Sequence, residues 1–161
     1  MFIKQADLFW GMDKDFIAEL MDVSAKETHD QGHVLFNEGD KAQWFFVLLK
    51  GRVRLDIGHE EQLVYIVSHA GEAFGWSGIL EREAYSSSAQ CMETTTLLKF
   101  SVEDIQRLSE DNPVNGMMLY KKLAAMLGHR LITSYQGIYE GLHDTDRETY
   151  GSGQMVMPDI A

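Results

Sequence analysis

Residues 71–91, which read GEAFGWSGILEREAYSSSAQC, carry the pattern that decides the fold. Three glycines in its first eight residues predict a turn. Ser77 is placed to cap a very short helix that continues through Ile79 and Leu80. Glycines that open a helical turn leave backbone N–H groups pointing outward, which predicts a small anion-binding nest. The alternative is a tight turn that only connects two strands.

A run of small side chains follows this turn. Ser86, Ser87, Ser88 and Ala89 are typical of an extended segment that lines a pocket without filling it. The alternating or apolar runs on both sides predict further short strands, each bounded by a turn that contains glycine or polar residues. These runs are Val34–Phe36, Trp44–Leu49, Arg52–Ile57, Leu63–Val67 and Thr95–Phe100. Short strands without a long intervening helix indicate a mainly β domain, a sandwich or a barrel.

Helical patterns flank the β region. Asp13 is a candidate N-cap for a helix over Lys14–Val23, whose apolar residues share one face. Ser101–Asp104 resembles a capping box that starts a short helix ending near Ser109.

The longest helical segment begins at Asn112-Pro113 and reaches about Leu142, because Pro113 suits a first helical turn. Its apolar side chains fall on two faces. One face holds Met117, Tyr120, Ala124, Leu127, Leu131, Ile138 and Leu142, and the other holds Leu119, Leu123 and Met126. We expect one face to contact the β domain and the other a second copy of the chain, unless both pack within one subunit. Residues 1–142 are then one domain, and residues 143–161 are expected to form a flexible tail.

Composition limits the classes of function. The 161 residues carry a formal charge of −11, so we expect no direct nucleic-acid binding. No apolar run is long enough to span a membrane, and the first residues do not resemble a signal peptide. Cys91 is the only cysteine, which excludes an internal disulfide. These features favour a cytoplasmic protein.

Two segments resemble the opening half of the cyclic-nucleotide-binding domain, the sensor of catabolite-activator-type regulators and cyclic-nucleotide-dependent kinases. They are GHVLFNEGD at 32–40 and FVLLKGRV at 46–53, and residues 71–89 lie where that family keeps its phosphate-binding cassette. The resemblance covers roughly residues 7–142. It implies a β jelly roll (double-stranded β-helix) with an N-terminal helix and a long C-terminal helix.

The cassette departs from the family pattern at both anchors of a cyclic nucleotide. The family's Phe-Gly-Glu, whose carboxylate binds the ribose, is replaced by Phe74-Gly75-Trp76. The family's phosphate-binding Arg aligns with Tyr85. Arg82 could reach into the pocket, but because Glu81 and Glu83 flank it we expect a solvated loop residue. Ordinary cAMP binding is therefore expected to be compromised. The predicted ligand-binding residues are Phe74, Gly75, Trp76, Ser77, Gly78, Ile79, Tyr85, Ser86 and Ser87.

Other chemistries fit the sequence less well. His29 and His33 are the nearest histidine pair, but we expect them to flank a turn and point in unrelated directions, which disfavours a metal site. Cys91 is expected to be a small buried thiol rather than a haem ligand. Only 19 residues (161 − 142) follow Leu142, so no helix-turn-helix DNA-binding domain is expected in this chain. No enzymatic site and no certain cofactor are predicted.

Three hypotheses remain. The first is a non-enzymatic sensor whose ligand, a cyclic nucleotide or another small molecule, shifts the cassette against the long helix, with a homodimer formed through Met117–Leu142. The second is a ligand-free dimerisation or interaction scaffold, and the third is retained cAMP or cGMP binding. Trp76 and Tyr85 distinguish the first two, because their rings either fill the pocket or line an open cavity.

Overall fold

A computed structural model describes residues 8–58 and 62–149, without the side chains of residues 62–64 and 142–149. The helices are α1 (Lys14–Val23), α2 (Val102–Asp111) and α3 (Pro113–Thr149). The strands are β1 (Ala25–His29), β2 (Val34–Phe36), β3 (Trp44–Lys50), β4 (Val53–Ile57), β5 (Gln62–Val67), β6 (Ala73–Phe74), β7 (Ser88–Cys91) and β8 (Thr95–Ser101). A 3₁₀ helix over Trp76–Gly78 follows β6.

Two four-stranded antiparallel sheets form the jelly roll that the sequence predicts. Their strand orders are β1-β8-β3-β6 and β2-β7-β4-β5. The predicted strands are present within a residue or two at each end, whereas β1 and the two-residue β6 were not predicted as separate strands. The mainly β class with an N-terminal and a long C-terminal helix is confirmed.

The interior between the sheets is filled by aromatic and aliphatic side chains. The core cluster includes Phe36, Phe46, Leu48 and Phe74 together with Val53 of the second sheet. The Phe46 and Phe74 rings stack with centroids 5.2 Å apart. Strand β3 is buried on both faces, which explains why its sequence is a continuous apolar run rather than an alternating one.

The opposite face of β3 and β8 packs under the short helices. Phe45 and Phe100 are paired across these strands and lie with ring centroids 6.1 Å apart. Helix α1 buries Phe16, Ile17 and Leu20, and α2 buries an apolar stripe of the same kind. The predicted start of α2 is confirmed, since Ser101 Oγ accepts a hydrogen bond from the Asp104 amide at 3.1 Å.

A buried asparagine joins α1 to the beginning of α3. Asp13 occupies the predicted N-cap position of α1, but its side chain makes no cap hydrogen bond. Its carboxylate instead accepts from Asn115 Nδ2 at 3.0 Å, and the Asp13 amide donates to Asn115 Oδ1 at 3.1 Å. Asn115 is 1 % exposed, so these bonds satisfy an otherwise costly buried amide.

Helix α3 continues past its predicted end at Leu142 to Thr149. The chain divides into two compact units between residues 123 and 124. In the first unit Leu119 and Leu123 are buried, whereas Met117 is 61 % exposed. The predicted face that contains Leu119 and Leu123 is therefore the buried face of this part of α3. From residue 150 onward the predicted tail lies outside the described residues. No described helix combines the length and apolar character needed to cross a bilayer.

Candidate functional site

Residues 74–88, from the last residue of β6 to the first residue of β7, are called the cassette below. Gly75 has φ +72°, and a Cβ there would lie 2.9 Å from the Phe46 ring. Glycine is therefore required by both backbone conformation and space. The 3₁₀ helix starts at Trp76, so Ser77 lies inside it, and the prediction that Ser77 caps the helix is wrong. The left-handed backbone of Gly75 occupies the cap position instead.

The far end of the cassette is fastened to the loop that precedes β3. The Ala42 amide donates to the Glu83 carbonyl at 2.9 Å, and the Tyr85 amide donates to the Asp40 carbonyl at the same distance. The Gly39 amide donates back to the Tyr85 carbonyl at 3.0 Å. This short ladder determines the direction in which the Tyr85 side chain projects.

Tyr85, one of the predicted ligand-binding residues, is a core residue. It is 4 % exposed, and its ring stacks on Phe36 with centroids 3.8 Å apart. Its hydroxyl donates to the Trp44 carbonyl at 2.7 Å and accepts from the Trp44 amide at 3.0 Å. Burial raises the pKa of the Tyr85 phenol above its usual value, so the ring stays neutral. Position 85 therefore places an uncharged aromatic ring in the interior.

The other predicted ligand-binding residues are spread over several environments. Phe74, Ser77, Gly78 and Ile79 are buried. Gly75, Trp76 and Ser87 are half-buried, and Ser86 is exposed. The nine residues thus differ widely in their exposure to solvent.

Two of them, Tyr85 and Ser86, line an open cleft of about 620 Å³, called the cassette cleft below. It is lined by Glu38, Gly39, Arg82, Glu83, Ala84, Tyr85 and Ser86. Glu38 is fixed there, because its amide donates to Ser88 Oγ at 2.8 Å and its carboxylate accepts from the Gly58 amide at 2.7 Å.

Sequence reasoning missed Glu38 and Gly39 as wall residues, although both belong to the segment that carries the resemblance. Arg82 was predicted to be a solvated loop residue. It is exposed, as predicted, but it lines the cassette cleft as the one cation among the described lining residues. Arg54, another cation of the β region, already binds Asp56 at 2.6 Å.

A second depression, the hinge groove, separates the cassette from the helices. It measures about 560 Å³ and lies entirely within the first unit. Its lining residues are Ile79, Leu80, Glu81, Gln106, Ser109, Glu110, Pro113, Gly116, Met117 and Tyr120. The predicted contact region between the cassette and the helix that begins near Pro113 is therefore a groove rather than a closed interface.

The histidine prediction is wrong in its geometry. The rings of His29 and His33 stack with centroids 4.0 Å apart and planes inclined by 10°, because the turn after β1 folds one ring over the other. His29 Nε2 also lies 2.9 Å from a Glu27 carboxylate oxygen. Within residues 8–58 and 62–149, no three potential metal ligands come together. Cys91 is buried, and burial raises the pKa of its thiol.

Comparisons with known proteins identify relatives of this architecture. The family model described as the cyclic nucleotide-binding domain matches residues 26–112. The Cyclic AMP receptor protein of Thermus thermophilus is 29 % identical over 132 residues, which cover 80 % of this chain and 59 % of that protein. The cGMP-dependent protein kinase egl-4 of Caenorhabditis elegans is 26 % identical over 121 residues, covering 68 % of this chain and 16 % of the kinase. The chain thus spans less than two thirds of either relative.

Solved structures show the same fold. A cyclic nucleotide-binding domain from Methylobacillus flagellatus superposes with a TM-score of 0.74 at 21 % identity, covering 87 % of this chain and 80 % of that one. The Thermus thermophilus Catabolite Activator Protein superposes with a TM-score of 0.66 at 25 % identity, covering 82 % of this chain and 61 % of that one.

Proposed function

The chain belongs to the cyclic nucleotide-binding domain family, and we propose that it is a non-enzymatic sensor whose ligand is not an ordinary cyclic nucleotide. The family's domains are regulatory ligand-binding modules, and this chain has their fold.

The environment of Tyr85 is the observation that carries this proposal. A cyclic phosphate needs charge-assisted hydrogen bonds to be held tightly. Here the matching position is filled by a ring stacked on Phe36, with its hydroxyl committed to the Trp44 backbone. Trp76 in place of the ribose-binding carboxylate removes the second anchor.

We place the ligand in the cassette cleft. Its volume of about 620 Å³ is in the range of small-molecule sites. Arg82 and Ser86 present a cation and a hydroxyl there, and Glu38 and Glu83 present carboxylates. This mixture of charges suits a small polar ligand that carries both donors and an acidic group.

Ligand binding is coupled to the helices because adjacent residues of the cassette line both depressions. Arg82 lines the cassette cleft, while the adjacent residues Ile79–Glu81 line the hinge groove opposite α2 and α3. A ligand that pulls on Arg82 therefore also shifts residues that face the helices. The ligand shifts the equilibrium between the two conformations of the cassette only to the extent that it binds one conformation more tightly than the other.

We also propose that the predicted homodimer forms through the part of α3 in the second unit, residues 124–142, so that Met117 and Tyr120 lie outside the interface. In the second unit Leu131, Tyr135 and Ile138 are each more than half exposed, which is unusual for one helix face in water. The charge of −11 and the lack of an apolar membrane-spanning run favour a cytoplasmic site of action without nucleic-acid or membrane partners. Sedimentation velocity of the wild type and of Leu131→Ser/Ile138→Ser tests the dimer, because a wild-type monomer contradicts it.

A ligand-free scaffold of the same fold is the second candidate. The observation in its favour is the same Tyr85 ring, because a ring that fills the interior leaves no room for a ligand there. The cassette cleft decides between the two candidates: a sensor binds a small molecule in it, whereas a scaffold binds none.

Thermal unfolding with and without millimolar cAMP and cGMP is the first test. Ligand at 100 times its Kd would raise the free energy of unfolding by about 2.7 kcal/mol, or Tm by about 5–10 °C for a chain of this size. We expect no shift for the wild type. A clear shift would establish the ordinary second-messenger sensor and overturn the proposal.

Two variants complete this test. Trp76→Glu/Tyr85→Arg restores both anchors and should lower Tm without ligand, because a guanidinium then replaces a core ring. Added cAMP should recover part of that loss, whereas the Trp76→Glu/Tyr85→Phe control should not respond. A screen of small polar metabolites should then find a compound that stabilises the wild type but not Arg82→Gln, and a screen without such a compound would favour the scaffold.

A further inference from the structure

We propose that the hinge groove is a docking site for a short basic segment of a partner protein, with a Lys or Arg flanked by apolar side chains. The proposal does not depend on the ligand of the cassette cleft, because it rests on the surface of the groove alone.

Apolar side chains form the rim of the groove. Leu80 is 48 % exposed, Met117 is 61 % exposed and Tyr120 is 37 % exposed, although all three line one depression. They come from the cassette and from the first turns of α3, so the depression is made by two separate segments of the chain. Apolar side chains gathered around a concave surface are typical of sites that bind another chain.

The charges of the groove determine the kind of partner. Its lining includes Glu81 and Glu110, and none of the described lining residues is Lys, Arg or His. Neither carboxylate makes an ion pair with any residue in the described ranges. Burial raises the pKa of the Tyr120 phenol, and the negative charges of Glu110 and Glu81 raise it further. The negative charges of Glu81 and Glu110 therefore both reach the Tyr120 hydroxyl, and a cation bound near it would be attracted by both.

The floor of the groove offers a further acceptor. Ser109 Oγ is buried and has no hydrogen-bond partner among the described residues. Gly116 of α3 packs directly on Ser109 of α2, since a Cβ at position 116 would lie 2.6 Å from the Ser109 carbonyl oxygen. Ser109 thus adds a hydroxyl without a partner among the described residues to a groove that Glu81 and Glu110 also line. A Lys ammonium or an Arg guanidinium has donors for such a set of oxygens.

The backbone of Glu81 supports a functional role for this wall. Glu81 has φ +61° and is the only described residue other than glycine with positive φ. Such a conformation costs free energy and is concentrated at functional sites. Here it places a carboxylate at the edge of the groove at the end of the 3₁₀ turn.

Charge also argues against a second copy of this chain as the occupant. Two copies that met groove to groove would bring four unpaired carboxylates together, and each copy carries a formal charge of −11. A basic segment of a different protein neutralises the carboxylates and covers the apolar rim at the same time.

Selection of a displayed library of random 12-residue peptides on the immobilised full chain tests the proposal. We expect the enriched peptides to contain Lys or Arg next to apolar residues. Fluorescence anisotropy should then show that Glu81→Gln/Glu110→Gln weakens their binding by about tenfold or more. The control Glu19→Gln/Glu103→Gln changes the same number of exposed carboxylates on α1 and α2 outside the groove, and it should bind as the wild type does.

Three results would overturn the inference. One is the enrichment of acidic or purely apolar peptides, or of none. Another is equal binding of the enriched peptides to the wild type and to Glu81→Gln/Glu110→Gln. The third is a wild-type dimer that Met117→Gln dissociates in sedimentation velocity, because a second copy would then cover the groove. Chemical shift mapping of ¹⁵N-labelled protein locates the peptide and supports the proposal only if Leu80, Glu110 and Met117 respond.

Discussion

Removal of the Tyr85 hydroxyl is the most direct test of how the cassette is held in the core. In Tyr85→Phe the ring keeps its stacking on Phe36, at a centroid distance of 3.8 Å in the wild type. The variant loses the bond to the Trp44 carbonyl at 2.7 Å and the bond from the Trp44 amide at 3.0 Å. Only these two hydrogen bonds change, so their effect can be read separately from packing.

The expected loss follows from the net value of a hydrogen bond in a folded protein. Each bond contributes about 0.5–1.5 kcal/mol, so two contribute about 1–3 kcal/mol. Trp44 is 40 % exposed, so water can partly replace the lost partner. We therefore expect a loss of about 1–2 kcal/mol in the free energy of unfolding, and of about 2–8 °C in Tm.

Urea unfolding followed by circular dichroism measures this loss, and Tyr120→Phe provides the matched control. The Tyr120 phenol is 37 % exposed, and its hydroxyl makes no hydrogen bond to any residue in the described part of the chain. The same chemical change there should cost less than about 0.5 kcal/mol. If Tyr85→Phe is no less stable than Tyr120→Phe, the hydroxyl of Tyr85 does not fasten the cassette to β3, and the reasoning is refuted.

Three further predictions concern stability. Because burial raises the pKa of Tyr85 above its ordinary value near 10, its contribution to stability is fully present below about pH 10 and is lost at higher pH. The free energy of unfolding of the wild type should therefore fall more steeply above pH ~10 than that of Tyr85→Phe, and equal slopes in urea titrations would contradict this. Gly78→Ala should lower the free energy of unfolding by about 2 kcal/mol or more, because the added methyl collides with the Ala42 carbonyl oxygen; a stability like that of the wild type would mean that this contact is not tight. Ser101→Ala should cost about 1 kcal/mol through loss of the hydrogen bond from the Asp104 amide, while Ser101→Asp should keep most of it, so equal Tm values for the two variants would argue against the cap.

The elements that sequence reasoning predicted well are those whose pattern is local. The 3.6-residue spacing of apolar residues predicts α1, and Ser101 followed by Asp104 predicts the start of α2. Strand β3 is visible as a continuous apolar run. In each case a few neighbouring residues are enough to predict the element. The physical cause is local, because it is either the side-chain period of a helix or strand or one capping hydrogen bond.

The elements that sequence reasoning missed are stabilised by distant partners. Strand β1 has the polar sequence Ala-Lys-Glu-Thr-His, and it is a strand because residues 25–29 pair with residues 95–99 of β8. Strand β6 has only two residues, which pair with β3. Ring stacking of His29 on His33 likewise depends on how the turn between β1 and β2 folds back.

For the candidate site, the sequence by itself determined the family, and it predicts the position of the cassette and the loss of both cyclic-nucleotide anchors. It did not determine where the replacing side chains point. Tertiary structure alone places the Tyr85 ring in the core, because the short ladder between residues 39–42 and 83–85 sets its direction. It alone also forms the hinge groove, whose walls come from residues 79–81, 106–110 and 113–120. Segments that far apart in the chain meet only through packing, which no local pattern of residues encodes.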